Sequence, residues 1–245
     1  MKAFITGGTG YVGSFLVRHL SQVGYELTVL ARDPRSSPEL AALPRVHLLE
    51  GDIQNLDHLE PYLRGQDALI HNALIWRNSD SELGHADAVA SARLFERAAN
   101  LNVLQILYTS STAVHRPFGP RMDEQTVVEP VEAYGVTKRI SELSLLAITS
   151  ERMIRANIIR LGPVIGQTAF PNGRLKSDRR LESIVKAAVE GRDIPISTNA
   201  GRQFISGAQV AKLYQAVLES EVQQETYIAV NGKNHLRVVS PNNVG

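Results

Sequence analysis

Residues Lys2 to Gly13 read Lys-Ala-Phe-Ile-Thr-Gly-Gly-Thr-Gly-Tyr-Val-Gly, and this stretch decides how the rest of the chain is read. A short apolar run, Lys2 to Thr6, stops at Gly7, Gly8 and Gly10. A helical pattern follows, with Tyr11, Val12, Phe15, Leu16, Leu20 and Val23 at spacings of one, three and four. A sharp strand-to-helix turn needs glycine where a side chain would clash. Close approach of a pyrophosphate to backbone N–H groups needs the same, and the helix N-terminus then faces the negative charge. The spacing is G-x-x-G-x-x-G at Gly7, Gly10 and Gly13, one residue longer between the first pair than the common dinucleotide fingerprint. Gly7, Gly10, Tyr11, Val12 and Gly13 are therefore expected to cradle a nucleotide.

The alternation begun here repeats downstream. Gly24 stops the first helix and Glu26–Leu30 reads as a second strand. Val46–Leu49 and Ala68–Ile70 read as buried strands, Leu83 to Asn100 as a long amphipathic helix, and Val103–Tyr108 as a fifth strand. Val131 to Thr149 is expected to be helical and Ile154–Ile159 a strand. Apolar strands alternating with helices imply a parallel sheet covered on both faces. After Gly162 the rhythm breaks, and 163–180 reads as an irregular excursion. A helix from Leu181 to Glu190, a short segment around Ile194–Ile196, a helix from Ala208 to Glu219 and a last strand, Thr226–Val230, complete the chain.

Composition excludes several classes. Of 245 residues 43% are hydrophobic and 21% charged, which suits a globular protein rather than a disordered or fibrous one. The formal charge is +1, so no basic excess points to nucleic acid or an anionic membrane as partner. The chain has 0 cysteines, which removes disulfides, thiolate catalysis and cysteine-held metals. His19, His47, His58, His85 and His235 show no metal-ligand spacing, so no metal is expected. No apolar run reaches the about 18 residues a membrane helix needs, and the glycine cluster comes too early for a signal-peptide core. These features point to a soluble, cytoplasmic protein with a small-molecule substrate.

The end of the second strand discriminates between nicotinamide cofactors, because an acid there bonds the ribose 2′-hydroxyl whereas an arginine accommodates a 2′-phosphate. Leu30 is followed by Ala31, Arg32 and Asp33. Arg32 favours NADP(H); Asp33, one residue on, keeps NAD(H) open. Further along, Tyr134 and Lys138 lie four apart on the expected helix and so share a face. A free tyrosine, with a pKa of about 10, is a poor base at neutral pH. A neighbouring ammonium favours the phenolate, and the tyrosine can then exchange the proton of an alcohol or carbonyl while hydride moves to or from the cofactor. Tyr108-Thr109-Ser110-Ser111-Thr112-Ala113-Val114 stands at the carboxyl end of the fifth strand, where open α/β sheets place ligands.

Taken together, Gly7-x-x-Gly10-x-x-Gly13, Gly51-Asp52, Asp67 to Ala73, the serine-rich strand end, Tyr134-x-x-x-Lys138, Arg160 to Gly166 and Gly201-Arg202-Gln203-Phe204-Ile205 resemble, in order, the extended branch of the short-chain dehydrogenase/reductase superfamily, the epimerase/dehydratase group. The resemblance implies a Rossmann-type doubly wound sheet with a small C-terminal substrate-binding lobe. It implies Ser111 as the hydroxyl that anchors the reacting oxygen, with Thr112 as the fallback, and Tyr134 and Lys138 as acid/base and tuner. By the same pattern Asp52 and Ile53 contact the adenine, Ala73 and Leu74 line the path to the nicotinamide, and Arg202 matches an arginine that grips the diphosphate of a nucleotide-sugar. The helices at 83–100 and 131–149 are those through which relatives form a homodimer.

Departures matter as much. The Asp-Glu pair of sugar-nucleotide 4,6-dehydratases is Thr112 and Ala113 here, which excludes that elimination. His115 replaces a tyrosine, Gly162 an asparagine of nucleotide-sugar epimerases, and Ala31 the acid of tightly NAD-bound ones. The chain is also short for the group, so a reduced substrate lobe is expected. The sequence thus predicts a dinucleotide-binding domain at 1–162 and 203–225 and a lobe at 163–202 and 226–245. The function predicted is reversible hydride transfer at a secondary alcohol or ketone. Epimerisation of a nucleotide-sugar, reduction of a smaller ketone or aldehyde by NADPH, and non-catalytic NADP sensing all remain open.

Overall fold

The computed structural model describes residues 1–75, 80–119, 122–170, 179–193 and 203–231, with the backbone alone at 80–85 and 179–182. The chain opens with β1 (Lys2–Thr6), α1 (Tyr11–Gln22), β2 (Glu26–Ala31), the single-turn α2 (Pro38–Ala41), β3 (Val46–Glu50), α3 (Leu56–Leu63) and β4 (Ala68–His71). It continues through α4 (Asp80–Asn100), β5 (Gln105–Ser111), α5 (Ala133–Thr149), β6 (Arg155–Leu161), β7 (Val164–Ile165), α6 (Arg179–Val189), β8 (Ile205–Ser206), α7 (Gly207–Glu219) and β9 (Thr226–Ala229).

Seven strands form one parallel sheet in the order β3-β2-β1-β4-β5-β6-β9. Parallel strands need crossover helices, and right-handed crossovers place successive helices on one face until the strand order reverses. The reversal falls between β1 and β4. Before it the chain winds outward to β3; after it the chain winds the other way. Ligands of open α/β sheets sit at such a point, beyond the carboxyl ends of the strands.

The two faces are packed by different helices. On one, Leu16, Val17 and Leu20 of α1 meet Val210, Tyr214 and Leu218 of α7 over Ile5 and Ile70. On the other, Leu59 and Leu63 of α3, Leu94 and Phe95 of α4 and Leu145 of α5 cover Phe4, Leu69 and Ile106. Central strands are buried almost throughout because both faces are covered: β4 is buried at all four positions and β5 at six of its seven.

Two expectations are corrected. β3, expected to be buried, is an edge strand whose Val46, His47 and Leu48 keep some exposure, because nothing pairs beyond it. Thr226–Ala229, expected in the substrate lobe, instead pairs with β6 as the seventh strand of the main sheet; its apolar Tyr227 and Ala229 complete the α7 face. A small parallel pair, β7 with β8, went unread because two-residue strands carry no periodicity. The expected segment at Ile194–Ile196 lies outside the described residues. Among the described residues no helix is long and apolar enough to cross a membrane.

Phe95 is fully buried, with its ring 5.4 Å from that of His71 and 5.5 Å from that of Tyr108, both edge-on. Phe95→Ala should therefore lower the unfolding free energy by about 3–5 kcal/mol, read as a shift of the urea midpoint at unchanged slope.

Candidate active site

A cleft of about 770 Å³ opens over the carboxyl ends of β1, β2, β4, β5 and β6. Its floor begins at the β1–α1 turn. Gly7 has φ +68°, and a Cβ there would lie 2.6 Å from Ala73 N and from the Asn72 carbonyl. At Gly13 a Cβ would come within 2.1 Å of Gly7 O. Only glycine lets the first turn of α1 sit this close to the loop and to β4. No side chain caps α1 and no acid stands in its first turn. The start of α1, with Gly10, Tyr11 and Val12 lining the cleft, is the kind of helix end at which an anion is stabilised.

Most of the predicted residues line this one cleft: Gly7, Gly10, Tyr11, Val12, Arg32, Asp52, Ile53, Ala73, Leu74, Ser111, Tyr134 and Lys138. Gly13 lies behind the loop as the packing residue just described. Thr112 is buried in the 3-10 turn Thr112–His115 and does not line the cleft. Arg202 and Trp76 lie outside the described residues. The Tyr11 hydroxyl is turned from the loop to the far wall, donating to Gly166 O (3.1 Å) and Gln167 O (3.2 Å).

At the β2 end, Arg32 lines the cleft whereas Asp33 does not. Asp33 Oδ1 instead accepts from Arg35 N and from Arg35 Nε, both at 3.1 Å, capping the turn Pro34–Ser36. The Arg35 guanidinium holds that carboxyl below its ordinary range.

At the reacting end, β5 and α5 bring three groups together. Ser111 Oγ accepts from Ala113 N (3.1 Å), which leaves its own hydroxyl proton available. Tyr134 is partly buried in the first turn of α5. Lys138, one turn on, is 4% exposed; its Nζ donates to Thr109 O (3.1 Å) and stands 5.0 Å from the centre of the Tyr108 ring. Burial alone would lower the ammonium's pKa, but the Tyr108 and Tyr134 oxygens and the Asp87 carboxyl outweigh it and hold it raised. Lys138 therefore stays charged. His71 bridges Thr6 (2.6 Å) and Ser91 (2.9 Å) and is driven down to about 3 by burial and by Lys138, so it remains a neutral core residue.

Two carboxyls escaped the sequence reading. Glu142, one helical turn beyond Lys138, is fully buried. Its Oε1 accepts from Ser110 Oγ (2.6 Å) and Arg160 Nε (2.9 Å), and its Oε2 from Arg160 Nη2 (2.9 Å) and Arg139 Nη1 (3.0 Å). It thereby fastens α5 to β5 and β6 beneath Ser111 and Tyr134. Its place four residues after Lys138 was the available signal. Asp87 of α4 is also fully buried, and its Oδ1 accepts from Ile75 N (2.8 Å) in the cleft wall.

The description that matches this chain in comparison with known families is the NAD dependent epimerase/dehydratase family, over residues 3–231. A putative dihydroflavonol 4-reductase of Synechocystis sp. is 31% identical over 156 residues, 60% of this chain and 45% of that protein. A UDP-glucose 4-epimerase of Corynebacterium glutamicum is 26% identical over 243 residues, 90% of this chain and 71% of that protein. The match spans 45% and 57% of the first two curated relatives' lengths. Among solved structures, UDP-glucuronic acid 4-epimerase from Bacillus cereus in complex with NAD superposes with a TM-score of 0.80 at 21% identity, over 96% of this chain and 78% of that one.

Burial would raise the Glu142 carboxyl; Arg160, Ser110 and Arg139 overcome that and hold it below its ordinary 4.5. A lowered carboxyl contributes stability above its unfolded pKa and loses it as pH falls through the folded value. Glu142→Gln should thus cost about 3–5 kcal/mol at neutral pH, and the gap from wild type in denaturant melts should close as the pH drops below 4.5.

Proposed function

The chain belongs to the NAD-dependent epimerase/dehydratase family, and from that premise we propose that it carries out NADP(H)-linked, reversible hydride transfer at a secondary alcohol or ketone. The observation that carries the reading is the meeting of Ser111, Tyr134 and Lys138 in the same cleft as the glycine turn.

The residues present fit a dinucleotide. Side-chain-free backbone at Gly7 and Gly10 and the uncapped start of α1 suit a diphosphate. Asp52 and Ile53 are near enough to edge an adenine, Ala73 and Leu74 to wall the path inward, and Tyr134 and Lys138 to hold the nicotinamide ribose. A bound nicotinamide supplies the hydride acceptor or donor. The chain's own residues handle the proton. Ser111 donates its hydroxyl hydrogen to the substrate oxygen and fixes it; Tyr134 gives or takes the proton at that oxygen. Lys138, charged and held by Thr109 O, stabilises negative charge on the phenol oxygen as the proton leaves. Arg32 in the cleft, with Asp33 committed to Arg35, supports a 2′-phosphate and hence NADP(H) over NAD(H).

Two outcomes share this chemistry. Net one-way transfer, reduction of a ketone or aldehyde by NADPH, is favoured by Arg32 and by Gly162. A Cβ at Gly162 would lie 2.7 Å from Val230 Cγ1 and 3.1 Å from Gln203 O, so an amide side chain at this position would require its neighbours to shift. Return of the hydride to the opposite face is epimerisation. The relatedness to UDP-sugar epimerases supports a nucleotide-sugar for that second reading. A homodimer through α4 and α5 is proposed as well: Val136, Ile140 and Leu143 form an exposed apolar stripe on α5, with Val89 exposed on α4.

Tyr134→Phe should lower turnover by about 10²- to 10⁴-fold while cofactor affinity stays within a few-fold; near-full turnover removes Tyr134 from the chemistry. Stoichiometric NADPH consumption marks reduction, and conversion of a UDP-sugar without net cofactor change marks epimerisation. Arg32→Ala should weaken NADP(H) by about tenfold and leave NAD(H) unmoved in fluorescence titrations, the loss of one charge-assisted contact. Ile140→Glu should convert the dimer to a monomer in sedimentation runs; unchanged mass overturns that interface.

A further inference from the structure

Asp87 is given no part in the proposed hydride and proton transfer, yet it is fully buried on α4, directly behind the cleft wall. Its Oδ1 is accounted for by Ile75 N at 2.8 Å. Its Oδ2 is buried without a hydrogen-bond partner among the described residues. Burying half a carboxyl in this way is costly unless the charge is met by another.

The other buried charges identify the partner. Arg160 and Glu142 neutralise each other through a two-pronged pair at 2.9 Å. Glu225 precedes β9 at the opposite, amino-terminal end of the strands. Among the described buried side chains this leaves Asp87 and Lys138, one anion and one cation. They act on one another: the Asp87 carboxyl raises Lys138, and Lys138 partly offsets the upward push that burial gives Asp87. Tyr108 of β5 lies between their influences, its hydroxyl approaching Lys138 and Ser141 without a hydrogen bond of good geometry.

We propose that Asp87 is a positioning residue serving as the buried counter-charge of Lys138, so that the reacting end of the cleft is neutral before the cofactor enters and accepts the cationic, oxidised nicotinamide. Without that carboxylate the ammonium would meet the oxidised ring as an uncompensated like charge. With it, oxidised and reduced cofactor are held with more nearly equal strength. The same carboxylate fixes Ile75 N, so the wall and the charge are set by one side chain.

This rests on the cofactor reading above, and the test separates the two. Asp87→Asn keeps the volume and an Oδ1 to accept from Ile75 N but removes the charge. The dissociation constants of NADP+ and NADPH, titrated on wild type and variant, should show the NADP+/NADPH ratio rising by about fivefold in Asp87→Asn, the effect of one nearby charge at protein-like dielectric. An unmoved ratio overturns the role of Asp87 alone, and a merely structural residue would weaken both forms alike. Failure of wild type to bind either form overturns the cofactor reading itself. A wild-type series decides independently should the variant not fold. As the pH is lowered from neutrality the ratio should climb, because the raised Asp87 carboxyl takes up its proton while Lys138 stays charged and both His71 and Tyr108 stay neutral. A flat ratio overturns the proposal.

Discussion

A lysine ammonium has been carried out of water at the end of a parallel sheet, and the cleft is organised around what that costs. An ion of this kind is tolerated in a protein interior only where oxygen atoms and an opposite charge replace its hydration. Lys138 receives the Thr109 carbonyl, the face of the Tyr108 ring and the field of Asp87. The first two come from β5 and the third from α4, while Lys138 itself stands on α5, so the sheet and both helices must be in register before the charge is accommodated. Thr109 stands one residue past the end of the β4–β5 ladder, which stops at His71 opposite Tyr108. The fold and the site are therefore settled by the same packing.

Much of this was legible in the sequence, for reasons that differ by residue. The glycine turn could be read because steric exclusion is absolute: with 2.1 Å between a Cβ at Gly13 and Gly7 O, nothing else fits. Tyr134 and Lys138 could be paired because helical spacing fixes which residues share a face. Central strands could be read because cover on both faces gives each a short apolar run, such as Ile106–Leu107 and Ile158–Ile159. What escaped depends on distances along the chain that no local pattern encodes. Asp87 and Lys138 are brought into one field by α4 packing on α5, and Glu142 meets Arg160 across β5 and β6. β9 was misassigned because its membership of the sheet is decided by pairing with β6, not by its own alternation. β3 looked buried because its apolar residues do not reveal that it lies at an edge.

The cofactor end shows the same division. From sequence, Arg32 and Asp33 stood side by side with opposite implications. Backbone geometry separates them: β2 ends at Ala31, the Asp33 side chain turns back to cap Pro34–Ser36, and Arg35 occupies its oxygen. A carboxylate already accepting two hydrogen bonds from its own turn has less to offer a ribose hydroxyl, while Arg32 keeps its fork free for a phosphate.

The opposite wall sets how much room the substrate has. β9 lies against β6, and Gly162 N donates to Ala229 O at 3.0 Å as the chain leaves the sheet. A Cβ at Gly162 would lie 2.7 Å from Val230 Cγ1, so a side chain there would oblige Val230 to shift. Tyr11 then ties Gly166 and Gln167 to the start of α1, so the exit from β6 is held from both sides of the cleft. Ser111, Tyr134 and Lys138 share the cleft with this wall, and the ammonium among them meets its opposite charge from behind the sheet, in the field of the Asp87 carboxyl on α4.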